Sequence, residues 1–178
     1  MSGHCTPVPP TSRRDIRLLA EKVRSSLHLQ TGWFPIVDYM EIYQLIEKDF
    51  VYDIVDTSEM SEHGLTFPDQ KLMFIREDVY ERARDGCGRD RLTIAHEFGH
   101  LLMHRNLGLA RTHVVRAETV PPHSSSEWQA NCFGGELLIP ASRIGEVNSP
   151  EAAANHFGVS LQAAKYQWRI YQTEGIIK

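Results

Sequence analysis

The chain has 178 residues, of which 42% are hydrophobic and 24% charged, the composition of one soluble domain able to bury its own core. A formal net charge of -4 and a pI near 6.1 argue against the global basic field that holds proteins on nucleic acid or anionic membrane. Cys5, Cys87 and Cys132 are odd in number and form no CxxC spacing, which excludes a disulfide framework and a cysteine zinc ribbon and points to the reducing cytoplasm.

"MSGHCTPVPPTS", rich in Pro, Ser and Thr, is expected to be a flexible arm over 1–12, without the apolar run of a signal peptide. A core over 13–147 follows. Its first helix, near 13–28, places Ile16, Leu19, Val23 and Leu27 on one face, and a second carries Val37, Met40, Ile42, Leu45 and Ile46 after Pro35. "FVYDIVD" (50–56) alternates as a strand. "HGLTFPDQKLMFIRED" holds two short apolar runs around the turn-forming Pro68, Asp69 and Gln70, a hairpin. "RARDGCGRD" reads as a loop, residues 90–104 as a helix, and 127–139 as another that Pro140 ends. Residues 148–178 form a helical hairpin expected to pack on the core, opened by Ser149-Pro150 and turned at "FGVS". The fold class is α+β: a small antiparallel sheet, helices on one side, and a helical C-terminal segment. No segment reaches the length of a membrane span, so no membrane partner is expected.

The chemistry concentrates in "IAHEFGH" (94–100). At about 100° per residue, His96 and His100 stand one turn apart on one face and can reach one ion. Glu97 points about 100° aside, too far to share the coordination yet placed to take a proton from a water beside the ion. Ile94, Ala95, Phe98, Leu101 and Leu102 fill the opposite face, so the helix is half core and half site. Gly99 in mid-helix costs about 1 kcal/mol relative to Ala, and close approach of another backbone would account for it.

A catalytic zinc site takes a third protein ligand and leaves a fourth position open. The downstream candidates are His104, His113, Glu118, His123 and Glu127. His104 shares the ligand face but stands about 6 Å along the axis from His100, which suits a supporting residue better than a ligand. Met103 and Asn106 exclude the longer HExxHxxGxxH pattern. Glu127 is the strongest candidate: three serines can cap its helix, Asn131 lies at i+4 to hydrogen-bond toward the site, and Gly134 and Gly135 permit close helix packing.

"RLTIAHEFGHLLMH" (91–104) and "EWQANCFGGELLIP" (127–140) together resemble the two zinc-site helices of the ImmA/IrrE family of metallo-endopeptidases, and weaker similarity covers most of 15–172. The resemblance implies a zincin-like core, with His96, His100 and Glu127 as metal ligands and Glu97 as general base. The family often has two alanines where this chain has Gly134 and Gly135. It further implies cleavage or inactivation of a helix-turn-helix repressor, the protein partner, encoded by a mobile element or stress-response locus. Zn2+ is the expected ion, and His with carboxylate ligands also suits Mn2+ or Fe2+. An oxyanion donor could come from His113 or His123.

Two other classes remain in view. The C-terminal helices have a helix-turn-helix layout, but Lys165, Arg169 and Lys178 against Glu151 and Glu174 leave a net charge of only +1 over 149–178, so strong nucleic-acid binding is not expected. A non-hydrolytic repressor-binding or toxin–antitoxin component would use the metal structurally. Structural zinc is usually closed by four ligands, often cysteines, which this chain does not offer.

Overall fold

The computed structural model describes residues 4–105, 115–116 and 120–178 of the chain. Helix α1 (Arg13–Ser25) starts where Ser12 accepts a hydrogen bond from the Asp15 amide, and its charges follow the helix dipole, with Asp15 in the first turn and Lys22 and Arg24 in the last. It buries Ile16, Ala20 and Val23 against a helix more than 100 residues later, α5 (Ser126–Leu138).

In α2 (Ile36–Ile46) only part of the expected apolar face points inward. Val37 and Met40 are buried, whereas Leu45 and Ile46 are 80% and 75% exposed and Ile42 is 39% exposed. The face that wins carries Tyr39 and Tyr43, whose rings pack at 5.3 and 5.6 Å on Phe98 of α4 (Gly88–Met103). Aromatic rings bury more area than the competing aliphatics and gain from tilted contact.

The small sheet is mixed, which corrects the antiparallel expectation. Its order is β2 (Val51–Val55), β4 (Leu72–Arg76), β3 (Gly64–Phe67). β3 and β4 form the expected antiparallel hairpin through the Pro68–Gln70 turn, closed by Lys71 in the left-handed region at φ 52°. β2 pairs in parallel with the far edge of β4, Val51 opposite Leu72, so the connection 56–63 carries the chain past the end of β4. Met73 and Ile75 are buried between the sheet and the helices. Between sheet and α4 lies a short helix, α3 (Glu77–Arg84), which holds part of the stretch expected as a loop; its Val79 and Ala83 face the core at i,i+4.

Residues 4–11 are not a free arm. β1 (His4–Cys5) pairs antiparallel with β5 (Val115–Arg116), the Ser126 amide donates to Thr6 O, and the amides of Val8 and Thr11 donate to Ser124 O and His123 O at 2.9 Å. Backbone groups satisfied in this way bind the segment as a strap along residues 123–126.

α6 (Pro150–Phe157) and α7 (Leu161–Thr173) turn at Gly158, φ 64°, with Ser149 and Ser160 as caps. α7 is tied to α5 by the Glu136 carboxylate, which is fully buried. It accepts from Arg17 Nε at 2.8 Å, Gln167 Nε2 at 3.0 Å and Tyr171 OH at 2.9 Å. Among the described residues no helix is long and apolar enough to cross a membrane.

Candidate metal centre

The apolar back of α4 forms as its periodicity predicts: Ile94, Ala95, Phe98 and Leu101 are completely buried, which turns His96 and His100 outward. α5 crosses this helix closely. A Cβ added at Gly99 would lie 2.9 Å from Ala130 Cα, and one at Gly134 would lie 3.3 Å from the His96 amide nitrogen, so both glycines serve close approach. Ser125 caps α5 by accepting from the Trp128 amide, and Glu127 in the first turn is thereby aimed at α4.

Three side chains converge across this crossing. His96 Nε2 and His100 Nε2 are 3.0 Å apart, and the Glu127 oxygens lie 3.5 Å from the first and 3.3 Å from the second. Their ligating atoms form a cluster within 4.8 Å of one another. Donors about 2.0–2.2 Å from a tetrahedral ion sit roughly 3.3–3.6 Å from each other, so the triangle fits one cation once the two imidazole nitrogens part by a few tenths of an ångström. The protons support the fit. Asn131 Oδ1 is 3.1 Å from His96 Nδ1 and can only accept, so the neutral His96 carries its proton on Nδ1 and turns a lone pair at Nε2 toward the cluster.

The electrostatics agree. Burial pushes the Glu127 carboxyl upward, but its contacts with His100 and His96 outweigh it and hold the group well below the usual carboxylate range. Burial pulls His96 down, and its contacts with Glu127, Glu97 and Asn131 reverse this and raise it.

Glu97 stands beside the triad, 7% exposed, and does not join it. Its Oε2 accepts from Thr66 Oγ1 on β3 at 2.6 Å. Gly64 leaves room for it, since a Cβ there would come 2.7 Å from Glu97 Cγ. The open cleft over these groups has a volume of about 850 Å³, with Gly64–Pro68 on one rim and Thr6, Val8 and Ser126 among its other lining residues.

His104, expected as a supporting residue, is buried at 2% exposure. Its Nδ1 lies 3.0 Å from His100 Nδ1 and its Nε2 3.1 Å from Gln129 Oε1. The ring of His123 does not line the cleft, and its exposed turn contributes backbone only. His113 and Glu118 lie outside the described residues. Sequence reading missed Thr66, Gly64 and Gln129. Only the alternation of β3, which turns Gly64 and Thr66 to one side, offered a signal.

The family model for Peptidase M78, the IrrE N-terminal-like domain, matches residues 49–169. The chain belongs to this family. The match spans the sheet, α4, α5 and most of the C-terminal hairpin, and so includes every member of the triad. Among solved structures, a Mycobacterium tuberculosis transcriptional regulator has the same fold, with a TM-score of 0.55 at 13% sequence identity over 85% of this chain and 45% of that chain. This IrrE-like chain thus spans less than half the length of that protein. No curated protein sequence matches it.

Proposed function

We propose that the chain is a metal-dependent endopeptidase, zinc being the expected ion, that hydrolyses a peptide bond in a protein substrate. The observation that carries this reading is the placement of Glu97 in one cleft with the His96–His100–Glu127 triad, beside it but outside the ligand cluster. Family membership supports the reading.

A divalent ion held by the three side chains would lower the pKa of a water and polarise a carbonyl oxygen. The chain's own residues supply the rest. Thr66 occupies Glu97 Oε2, which leaves Oε1 to accept a proton from the attacking water and return it to the departing amine. The low exposure of Glu97 limits competing solvent. β3 is an edge of the sheet, and it lines the cleft. An extended substrate can pair with that edge, which brings its backbone past Glu97 and the triad.

A helix-turn-helix repressor is the substrate class we assign, on the resemblance of the two helix motifs; the fold shared with a transcriptional regulator accords with it. The C-terminal hairpin serves packing, because Gln167 and Tyr171 of α7 are buried against Glu136.

The test incubates zinc-loaded protein with a candidate repressor and reads intact masses. The expected products are two fragments whose masses sum to the substrate plus one water. Glu97→Gln should retain metal and abolish cleavage, while Glu127→Ala should lose metal affinity and cleavage together. Stable association without cleavage by the zinc, manganese and iron forms would overturn hydrolysis in favour of repressor binding alone.

A further inference from the structure

His100 can present a lone pair at Nε2 only if its proton sits on Nδ1, and some acceptor must hold it there. For His96 that acceptor is the side-chain amide oxygen of Asn131. For His100 it is the imidazole of His104, which could carry its own proton on either nitrogen.

Gln129 removes the ambiguity. Its Nε2 lies 2.9 Å from Pro9 O and 2.7 Å from His123 O, two backbone carbonyls that can only accept. The amide must therefore turn its two N–H groups to them and its oxygen to His104, where Oε1 is 3.1 Å from Nε2. His104 Nε2 then carries the proton, and His104 Nδ1 is left with a lone pair. That lone pair accepts from His100 Nδ1–H at 3.0 Å, so His100 Nε2 points unprotonated at His96 and Glu127. His104 and Gln129 are each only 2% exposed, so bulk water is not at hand to replace either partner.

We infer that Gln129 and His104 are positioning residues that fix the tautomer of His100, and that the carbonyls of Pro9 and His123 anchor them, which makes the N-terminal strap a functional part of the metal site. The inference rests on the reading of His100 as a metal ligand. Its consequence for function is that any event lifting the strap removes one of the two carbonyls that orient the Gln129 amide, leaving His123 O alone to hold it, and so loosens the support of His100 without touching a ligand.

The test is two-bond 1H–15N spectroscopy of the 15N-labelled full chain, with and without zinc, alongside zinc affinity by chelator competition. His104 should appear as the Nε2–H tautomer in both states. Loss of such a supporting hydrogen bond weakens metal binding about 10- to 100-fold, and this is the loss expected for His104→Ala and Gln129→Leu. His104→Asn, whose Oδ1 can accept in place of Nδ1, should recover most of it. A wild-type His104 protonated on Nδ1, or a His104→Asn no better than His104→Ala, would overturn the inference. Failure of the wild-type chain to bind zinc, with His104 still in the Nε2–H form, would instead reject the metal reading and leave the proton order standing.

Discussion

The tight crossing of α4 and α5 at Gly99 can be tested by a single methyl group. In Gly99→Ala the new carbon would lie 2.9 Å from Ala130 Cα, 3.1 Å from Ala130 O and 3.3 Å from Ala130 Cβ. Comfortable carbon contacts are about 3.5–4.0 Å, so the helices must part locally by several tenths of an ångström. Alanine gains about 1 kcal/mol of helix propensity, and overpacking costs roughly 1–3 kcal/mol, which leaves a net stability loss of about 0–2 kcal/mol. The effect on the metal should be larger than on the fold. Ala130 is three residues from Glu127 on α5, so the same displacement carries the carboxylate away from His96 and His100, now 3.5 and 3.3 Å from it. A zinc affinity lower by about 10- to 100-fold is expected, comparable to loss of a supporting residue. Thermal unfolding with zinc and with chelator, plus chelator competition, separates the two effects. Wild-type zinc affinity in Gly99→Ala, together with an unchanged or raised Tm, would refute the argument that this glycine exists to bring the helices together.

Glu136→Gln should destabilise the fold by about 1–3 kcal/mol, because Gln167 and Tyr171 would meet an amide with a single accepting oxygen while Arg17 keeps its ion pair with Glu174; urea unfolding checks this, and no measurable change would show the network to be dispensable. Burial raises the Asp90 carboxyl, but its hydrogen bonds with Arg82 and Cys87 prevail and lower it. A carboxylate depressed in the fold contributes stability above its unfolded pKa, about 3.9, and loses it as pH falls through the lower folded value. Asp90→Asn should therefore be less stable at neutral pH and show a flatter decline in unfolding free energy below about pH 4. Burial pushes the Cys132 thiol up to about 12, so it should resist iodoacetamide at pH 8 in the native chain and react once unfolded, as peptide mapping would show.

What the sequence revealed of the site was whatever local helix geometry dictates. His96 and His100 at i,i+4, Glu97 aside from them, and Asn131 one turn past Glu127 all fall where a 3.6-residue period puts them. Gly99 was legible for the same reason, as a propensity cost in search of a cause. Contacts set by chain folding over distance were not legible. Thr66 reaches Glu97 across 31 positions, and Gln129 reaches Pro9 across 120. The parallel pairing of β2 with β4 was hidden likewise, since alternation fixes a strand's faces but not its partner. Helix α3 was missed because eight residues, "EDVYERAR", give too few turns for periodicity to outweigh the Gly and Asp that follow. In α2 the aliphatic pattern was real, and the aromatic face simply buried more.

The pairing of α1 with α5 also bears on how the chain is made. During synthesis α1 emerges with Ile16, Ala20 and Val23 ready to pack, while the helix that covers them begins at Ser126. At roughly 5–20 residues per second, about 100 residues of intervening chain keep that apolar stripe uncovered for roughly 5–20 s. In that interval α1 is a ready client for a chaperone and a ready site for misassociation between nascent chains. Substitutions that make its stripe stickier should thus lower the yield of folded protein before they change the stability of the finished fold.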